Sequence, residues 1–378
     1  MDLQPSPDEA LLAESARKSF LRDCPMSLVR ELLGPESVGH SPDLWTKMAE
    51  QGWLGLGLPE AHGGAGSLLD LGLVVEESGR ALVPSTFRST MQAALLVAGL
   101  GNEEQQSELV GRISSGLAVS AVAYTEPQAI HDPRYLTTRA VPGDDGWVLS
   151  GVKSFVANAH LADPLLVVAR TTAGAPERAL TVFCVPAGTD GVTLEPQATF
   201  AHDRQFRVLL DGVGVGDGAV LGGPAAIGRA LPAVIDARQR WVALLCAEMV
   251  GGAQKVLELT SEYVIGRVQF GKPIGSFQAV QHHVANMAMG VEGSRLATYQ
   301  ALWRLANDRP AAKSVAIAKA WTGEAYKGAT VMAHQLFGGM GYVRENDLHL
   351  WSEHAKASEL ALGPRDHQLL KVASELGL

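Results

Sequence analysis

The chain has 378 residues, a formal net charge of −9 and 47% hydrophobic residues, which is enough for two or three domains with a large core. The net charge is negative and the sequence has no cluster of basic residues, so the composition excludes a basic surface for binding nucleic acid. The longest apolar runs, such as Leu165–Val168, are far too short for a membrane span. Near the N-terminus no basic region precedes an apolar one, so we expect a cytoplasmic protein.

The cysteines and histidines do not have the spacing of metal ligands. Cys24, Cys184 and Cys246 are odd in number and far apart, which favours reduced, buried thiols over a nucleophile. His349 and His354 are five residues apart, whereas two ligands on one helix face are three or four apart. We therefore predict no metal site.

The first 115 residues predict a helical domain. Apolar residues recur at helical spacing between loops rich in glycine and proline. The predicted helices are Pro7–Leu21, Met26–Leu33, Asp43–Gln51, Ser67–Leu82 and Ser85–Ala98.

Residues 116–222 have a different sequence pattern, in which short runs of residues that favour β-strands are separated by polar or Gly/Pro turns. Regularly spaced short strands are typical of a small sandwich or barrel. The predicted strands are Ala118–Ala123, Trp147–Val156, Leu165–Ala169, Ala179–Val185, Val192–Pro196 and Arg207–Leu210.

Residues 223–378 return to helical periodicity. Long antiparallel helices with short connections predict a bundle. The predicted helices are Val234–Gly266, Phe277–Ala306 and Ala311–Phe337. The order of elements therefore predicts a multi-domain α+β protein.

Two segments of the bundle have the residue types of a ligand site. Arg267–Gln278, with the sequence RVQFGKPIGSFQ, connects the two longest helices. It is either a Gly-Pro turn with solvated polar residues, or a site where Arg267 and Gln278 hold a phosphate-bearing ligand at helix ends. Gln335–Gly341, with the sequence QLFGGMG, follows a helix, and its glycines allow close approach of the backbone to a ligand.

Together with Tyr124–Pro127 and Gly151–Val156, these segments resemble the acyl-CoA dehydrogenase family in order and spacing. The resemblance implies an N-terminal helical domain, a middle β domain and a C-terminal four-helix bundle. It also implies FAD as cofactor, an acyl-CoA substrate and a tetrameric assembly. In such enzymes a carboxylate removes the α proton of the thioester while the β hydrogen leaves as hydride to the flavin.

The chain departs from this pattern where the catalytic carboxylate belongs. Most members of the family have a glutamate immediately before a glycine that matches Gly363, and here that position is Leu362. Other members place the glutamate on the first long bundle helix, at a position that matches Trp241. Glu359 is three residues from Leu362 and is an alternative base if the segment is shifted.

The expected contacts to the flavin ring are also altered. Ile130 and His131 occupy positions where the family usually has Gly-Ser, and a β-branched residue prevents the close backbone approach that glycine allows. Ala157 occupies the position of a threonine near the flavin ring. The chain therefore lacks groups that would hold a flavin ring in its own site.

The contacts that family members make to the FAD of a neighbouring subunit are retained. The resemblance assigns these contacts to Arg267, Gln269, Phe270, Gln278, Gln335, Gly338 and Gly339. The losses fall on one half of the site, which predicts a non-catalytic partner subunit that shares FAD with a homologous catalytic chain. The chain is similar to the β-type subunits of actinobacterial α2β2 acyl-CoA dehydrogenases, which act on steroid side-chain CoA thioesters.

Two alternatives stay open from the sequence. The first is a self-sufficient homo-oligomeric dehydrogenase with a relocated base such as Glu359. The second is a flavin-free relative with a non-redox or scaffold role, in which Arg267 only caps a bundle helix. Flavin in the chain purified alone distinguishes the first alternative from the partner subunit.

Overall fold

The computed structural model describes residues 5–128, 131–171 and 179–378. Ile130, which we assigned to an altered flavin contact, lies outside the described residues. The chain divides into two compact units. The first contains the chain up to Glu31, Leu68–Val83 and Val242–Leu378, and the second contains Leu32–Ser67 and Pro84–Trp241.

The first unit is helical. Its helices, wholly or in large part, are α1 (Pro7–Asp23), α2 (Met26–Leu33), α4 (Leu68–Arg80), α8 (Leu231–Gly266), α9 (Gln278–Ala306), α10 (Ala312–Phe337), α11 (Leu348–Leu360) and α12 (Arg365–Glu375). The strands β8 (Val268–Gln269) and β9 (Lys272–Pro273) form a hairpin between α8 and α9. The 36 residues of α8 extend over about 54 Å at 1.5 Å per residue.

Charged side chains fix α4 among the other helices of this unit. Glu77 pairs with Arg17 of α1 at 2.7 Å. Glu76 accepts hydrogen bonds from Arg295 at 3.0 Å and from the Tyr299 hydroxyl at 2.8 Å, both on α9. Both glutamates are buried, so each needs these partners to offset the loss of hydration. The network holds α9, and therefore the segment before it, in a defined position.

The second unit combines helices with a β-sheet. Its helices are α3 (Pro42–Glu50), α5 (Thr86–Leu100), α6 (Glu103–Gln105) and α7 (Gly111–Ser114). Its strands are β1 (Ala121–Ala123), β2 (Arg139–Gly143), β3 (Gly146–Ala157), β4 (Leu165–Arg170), β5 (Leu180–Val185), β6 (Val192–Gln197) and β7 (Gln205–Val215).

Within the described residues the strands form one seven-stranded sheet in the order β1-β4-β2-β3-β7-β6, with β5 paired to β4. The parallel pairs are β1–β4 and a single bridge between β2 and β4, and the remaining pairs are antiparallel. The first five residues of β4 are all buried, whereas β6 has no buried residue. A continuous apolar run such as Leu165–Ala169 therefore marks an interior strand.

The predicted fold class is confirmed: helices, a middle sheet and a helical C-terminal region follow one another along the chain. Strand β2 was missing from the prediction, because its burial does not follow a regular alternation. Its hairpin with β3 turns at Asp144–Asp145, between the paired Gly143 and Gly146.

Candidate functional site

The hairpin after α8 exposes a strained aromatic residue. The N–H of Ile274 donates to the Arg267 carbonyl at 2.8 Å and closes the base of the hairpin. Both residues of its turn have positive φ, +53° at Phe270 and +77° at Gly271, as a type I′ turn requires. Phenylalanine is strained in this conformation, and Phe270 is 92% exposed. Both features are unfavourable, and the exposed ring is available for contact with a ligand or another chain.

Two polar side chains flank this hairpin. Arg267 and Gln278 are exposed, and neither side chain makes a hydrogen bond or ion pair with the residues that the structure describes. Gln278 begins α9, whose first-turn N–H groups have no intrahelical acceptor and no capping side chain. These groups can donate to an anionic ligand. The amide of Gln269 instead donates to the carbonyl of Val268 at 2.7 Å.

A glycine turn ends α10. Gln335 is exposed on the last turn of the helix, and Gly338 follows the helix with φ +59°. A Cβ atom added at Gly338 or Gly339 would have no neighbour within 4 Å. The backbone of both glycines is therefore open to an incoming group, and the positive φ of Gly338 favours glycine there.

A pair of aromatic rings joins these two segments. The Tyr263 ring stacks on the Phe337 ring with centroids 4.1 Å apart and planes at 11°. The Tyr263 hydroxyl donates to the Phe337 carbonyl at 3.3 Å. Tyr263 is one helical turn before Arg267, and Phe337 immediately precedes Gly338. The stack therefore brings the end of α8 to the end of α10.

The start of α9 is held at the same place. The Phe270 and Phe277 rings meet edge to face with centroids 6.2 Å apart. The Lys272 ammonium lies 4.4 Å from the centroid of the Phe277 ring. Phe277 immediately precedes Gln278, so the hairpin packs against the first turn of α9. Tyr263 and Phe337 were not predicted as positioning residues, although an aromatic residue one turn before Arg267 is visible in the sequence.

The loop that carries Leu362 has no carboxylate at its turn. Leu362 has φ +57°, in a region that is strained for leucine. The buried amide of Gln368 donates to the carbonyls of Leu362 and Gly363, at 3.1 and 3.2 Å. The loop is thus held by a specific side chain in a strained conformation, with leucine and glycine at its turn in place of a carboxylate.

Glu359, the alternative base, is engaged in ion pairs. Its buried carboxylate lies 2.5 Å from the Lys356 ammonium and 3.9 Å from that of Lys327. Its Cγ would lie 3.3 Å from a Cβ atom added at Gly323 of α10. The side chain therefore packs against α10 with its charge neutralised, which does not support a role as the base.

Trp241, the other position for a base, is a core residue. It is 2% exposed, and its indole N–H donates to the Gln92 carbonyl at 2.9 Å. Its ring meets the Tyr124 ring edge to face with centroids 6.1 Å apart. Burial raises the pKa of Tyr124 to about 12, so this hydroxyl stays protonated and does not replace a carboxylate.

The altered flavin-contact positions of the second unit include strained residues. His131 has φ +64°, and Ala157 is the last residue of β3. Phe155 lies at an irregularity in the β3–β7 pairing with φ +53° and is 60% exposed. Its N–H donates to the Gln197 side chain at 2.7 Å. No threonine hydroxyl is available at Ala157.

Glu126, which lies in the Tyr124–Pro127 segment, is part of a buried ion pair. Its carboxylate lies 2.7 Å from the Lys153 ammonium and accepts hydrogen bonds from the N–H groups of Thr137 and Thr138. Burial opposes its ionisation, but Lys153 and these hydrogen bonds outweigh that effect and lower the pKa of Glu126 to about 2. Burial lowers the pKa of Lys153 to about 8. Glu126 is therefore a structural anion.

The described residues contain neither a cluster suited to a metal ion nor a helix suited to a membrane span. No three His, Cys, Asp or Glu side chains in that part of the chain converge as they would around a metal ion. None of the helices that the structure describes is long and apolar enough to cross a membrane.

Comparison with known proteins places these features in a family. Family models for the N-terminal, middle and C-terminal domains of acyl-CoA dehydrogenase match residues 6–117, 121–207 and 239–377. The probable acyl-CoA dehydrogenase YngJ of Bacillus subtilis is 32% identical over 355 residues, which cover 90% of this chain and 91% of the relative.

Two solved structures are similar over almost the whole chain. A variant of the Tcur3481-Tcur3483 steroid ACAD is 31% identical with a TM-score of 0.86, and the match covers 98% of each chain. The ChsE4-ChsE5 complex from Mycobacterium tuberculosis is 28% identical with a TM-score of 0.89, and the match covers 100% of this chain and 99% of the other. The chain therefore belongs to the acyl-CoA dehydrogenase family.

Proposed function

We propose that this chain is the non-catalytic partner subunit of a heteromeric FAD-dependent acyl-CoA dehydrogenase. One observation carries the proposal: the ends of α8 and α10, joined by the Tyr263–Phe337 stack, present exposed donors and open glycine backbone. In the family, this region contacts the FAD of a neighbouring subunit. A homologous catalytic chain would supply the glutamate and the contacts to the flavin ring.

The residues at this site fit the diphosphate and adenosine part of FAD. Arg267 offers a guanidinium fork that matches phosphate geometry, and the first turn of α9 offers backbone N–H groups. The open backbone at Gly338 and Gly339 leaves room for a ligand to lie against it. We assign the same role to Gln269, Phe270, Gln278 and Gln335, whose side chains are exposed around these groups.

The residues that would form an active site within this chain do not support catalysis. Leu362 cannot accept a proton, and Trp241 fills the other position for a base with a buried indole. Ala157 lacks the hydroxyl that family members present to the flavin ring. We therefore assign no proton transfer to residues of this chain.

When bound, FAD supplies the acceptor for the two electrons that leave an acyl-CoA during α,β-desaturation. In the proposed complex, this chain only binds and orients FAD. Arg267 would offset the negative charge of the diphosphate, and the exposed Phe270 of the hairpin would offer an apolar contact to the ligand. Because Tyr263 and Phe337 hold these groups together before FAD binds, little ordering is needed on binding.

We propose an acyl-CoA with a bulky acyl group, such as a steroid side-chain CoA, as the substrate of the complex. The similarity to a steroid ACAD and to the two-chain ChsE4-ChsE5 complex supports this class. A complex in which only one of two homologous chains holds a flavin ring leaves space in the other for a large ring system. This chain would then act in a heterotetramer of two catalytic and two partner chains.

The alternatives have less support. A relocated base at Glu359 conflicts with the two lysines that neutralise its carboxylate. A scaffold without flavin leaves the exposed, strained Phe270 and the side chains of Arg267 and Gln278 without a function. Both alternatives remain outcomes of the following experiment.

The test is flavin content. The chain is produced alone and together with a homologous dehydrogenase chain from the same genome, and bound FAD is measured by absorbance for each chain. We expect no flavin in the lone chain and one FAD for each pair of chains in the complex. Full flavin occupancy of the lone chain would favour the self-sufficient enzyme, and a flavin-free complex would favour the scaffold.

A further inference from the structure

Tyr124 carries a buried hydroxyl that makes no hydrogen bond in the part of the chain that the structure describes. The residue is 6% exposed, and its hydroxyl oxygen is fully enclosed. Burial raises the pKa of Tyr124 to about 12, so the group is a proton donor at neutral pH. Most buried polar groups are paired, because an unpaired donor has lost its hydrogen bonds to water. The Tyr124 hydroxyl is therefore available to an acceptor on a ligand.

The ring of Tyr124 is held in place by its neighbours in the second unit. Tyr124 immediately follows β1, which pairs with β4. Its ring meets the Trp241 ring edge to face, with centroids 6.1 Å apart. The Trp241 N–H already donates to the Gln92 carbonyl at 2.9 Å, so it does not bond to the Tyr124 hydroxyl. The position of the ring is thus fixed while its hydroxyl stays without a partner.

Two charged side chains determine the electrostatics around this hydroxyl. Arg238 lies three residues before Trp241, so both side chains share one face of α8, and Arg238 is buried. Burial has the largest effect on the pKa of Tyr124, while the positive charge of Arg238 lowers it and the negative charge of Asp132 raises it. The two charges oppose each other, which favours a neutral acceptor, such as a carbonyl oxygen, over a carboxylate.

The hydroxyl lies beside positions that the family uses for the reaction. Tyr124 immediately precedes Thr125, whose carbonyl accepts a hydrogen bond from the Ser154 N–H at 2.8 Å. This bond ties the segment to β3, the strand that ends at the altered flavin-contact position Ala157. Trp241 occupies one of the two positions for the catalytic base. A bulky acyl group that enters this part of the chain would therefore meet the Tyr124 hydroxyl.

We propose that Tyr124 donates a hydrogen bond to a ring carbonyl of the substrate acyl group, and that Trp241 and Arg238 position the Tyr124 side chain. This rests on the proposed function, in which the bulky part of the acyl group lies in this chain. It narrows the substrate class to an acyl-CoA that carries a cyclic ketone. A site built to pair with such an oxygen discriminates against the analogue without it, because the buried hydroxyl then stays unpaired. Tyr124 is thus a specificity-determining residue.

The first test measures how the lone chain binds two small probes, decalone and decalin. Decalone is a bicyclic ketone, and decalin is the hydrocarbon with the same rings. Both can turn freely in a site, so the position of the carbonyl in the natural acyl group does not matter. Free probe is measured by gas chromatography of the headspace above the protein solution. We expect Tyr124→Phe to weaken decalone binding by roughly 2- to 10-fold and to leave decalin binding unchanged.

Tyr135→Phe is the matched control, because it removes a hydroxyl from a ring of the same unit that is 67% exposed. It should not change decalone affinity. A wild-type chain that binds neither probe would overturn the proposal. Equal decalone affinity in the wild type and Tyr124→Phe, or an equal loss for both probes, would do the same.

The thermal midpoint of the lone chain separates ligand binding from a structural role. Because the Tyr124 hydroxyl has no partner among the described residues, Tyr124→Phe should leave the midpoint unchanged or raise it. A lower midpoint would show that the hydroxyl stabilises the fold through a partner within the chain, and would refute the proposal.

The second test uses the complex with the catalytic chain. Two steroid side-chain CoA thioesters are compared, one with a ring ketone and one with a methylene group in its place. Tyr124→Phe should lower the ratio of their kcat/KM values by roughly 2- to 10-fold, in disfavour of the ketone. An unchanged ratio would overturn the assignment.

The carbonyl site and the FAD contacts can fail separately. Probe binding is measured on the lone chain without flavin, whereas flavin content is measured on the complex. A flavin-free complex whose lone chain shows Tyr124-dependent decalone binding would keep the carbonyl site and remove the proposed function. A complex with FAD, together with equal decalone binding by the wild type and Tyr124→Phe, would refute only the carbonyl site.

Discussion

Tyr263 and Phe337 stack with their ring centroids 4.1 Å apart, and the Tyr263 hydroxyl donates to the Phe337 carbonyl. The contact connects residues 74 positions apart in the sequence. It fixes the distance between Arg267, which immediately follows α8, and the glycine turn that follows α10. The geometry of the proposed FAD contacts therefore depends on a pair of residues that we do not expect to touch FAD.

Replacing Tyr263 should separate the two parts of the site. Tyr263→Leu removes both the stack and the hydrogen bond, and should lower the stability of the chain by about 1–3 kcal/mol. It should also lower the FAD content of the complex. Tyr263→Phe keeps the ring and loses only the hydroxyl, so it should retain FAD. The measurements are the thermal midpoint of the lone chain and flavin absorbance of the complex. Equal FAD content in both variants would contradict this positioning role.

Arg267→Ala should weaken FAD binding by the complex. Loss of charge-assisted hydrogen bonds to the diphosphate should lower FAD affinity by about 1.5–3 kcal/mol, or roughly 10- to 150-fold. Affinity is measured by titrating FAD into the deflavinated complex.

Arg309→Ala is the matched control, because Arg309 is another exposed arginine of the helical unit and lies before α10, on the opposite end from Gly338. The 26 residues of α10 separate these ends by about 39 Å. We expect no change in FAD affinity. If both variants weaken FAD binding equally, Arg267 acts only through net charge.

Glu126→Gln should strongly destabilise the second unit. It leaves the fully buried Lys153 ammonium without its carboxylate, which typically costs about 3–5 kcal/mol. Glu195→Gln in the same sheet removes an exposed pair with Arg207, which is worth at most about 1 kcal/mol. The measurement is the midpoint of urea unfolding. Similar midpoints for the two variants would show that the buried pair has no special role.

The contribution of Glu126 should also depend on pH. Its pKa is about 2 in the folded chain, below the ordinary value of 4.5, so its ionisation stabilises the fold above pH 4.5. This stability should be lost as the pH falls from 4.5 towards 2. The difference in unfolding midpoint between the wild type and Glu126→Gln should therefore shrink over that range. A difference that stays constant would contradict the lowered pKa.

Leu362→Gly should be neutral or stabilising. Leucine at φ +57° is strained by about 1–2 kcal/mol, and glycine removes this strain while losing some side-chain burial. Leu360→Gly, two residues earlier at the end of α11, should destabilise by about 1 kcal/mol because glycine is unfavourable in a helix. Thermal midpoints compare the two variants. A larger loss at Leu362 than at Leu360 would argue against strain.

Leu362→Glu should not convert the lone chain into a dehydrogenase. The variant restores a carboxylate at the position of the family base, but Ala157 and the other altered contacts still leave no place for a flavin ring. We expect no bound flavin and no acyl-CoA-dependent bleaching of flavin absorbance. Bleaching in the lone variant would show that this chain retains a complete flavin site.

Much of the fold was predictable, because helices and strands of this chain follow local periodicity. Long stretches such as Phe277–Ala306 carry a helical pattern through almost their whole length, and the structure places α9 at Gln278–Ala306. The order of the strands in the sheet was not predictable, since β1 pairs with β4 across more than 40 residues. Such pairing depends on the packing of the whole unit, not on a local pattern.

The sequence by itself determined the family and the missing carboxylate, because residue types and their spacing, such as Leu362 before Gly363, can be read directly from the chain. Only the tertiary structure decided that Glu359 is neutralised by Lys327 and Lys356, and that Tyr263 holds Arg267 near the turn at Gly338. The Glu359–Lys327 and Tyr263–Phe337 contacts join different helices, and helix packing determines which distant side chains meet, whereas Lys356 is three residues before Glu359 on α11 and their proximity could be read from the sequence.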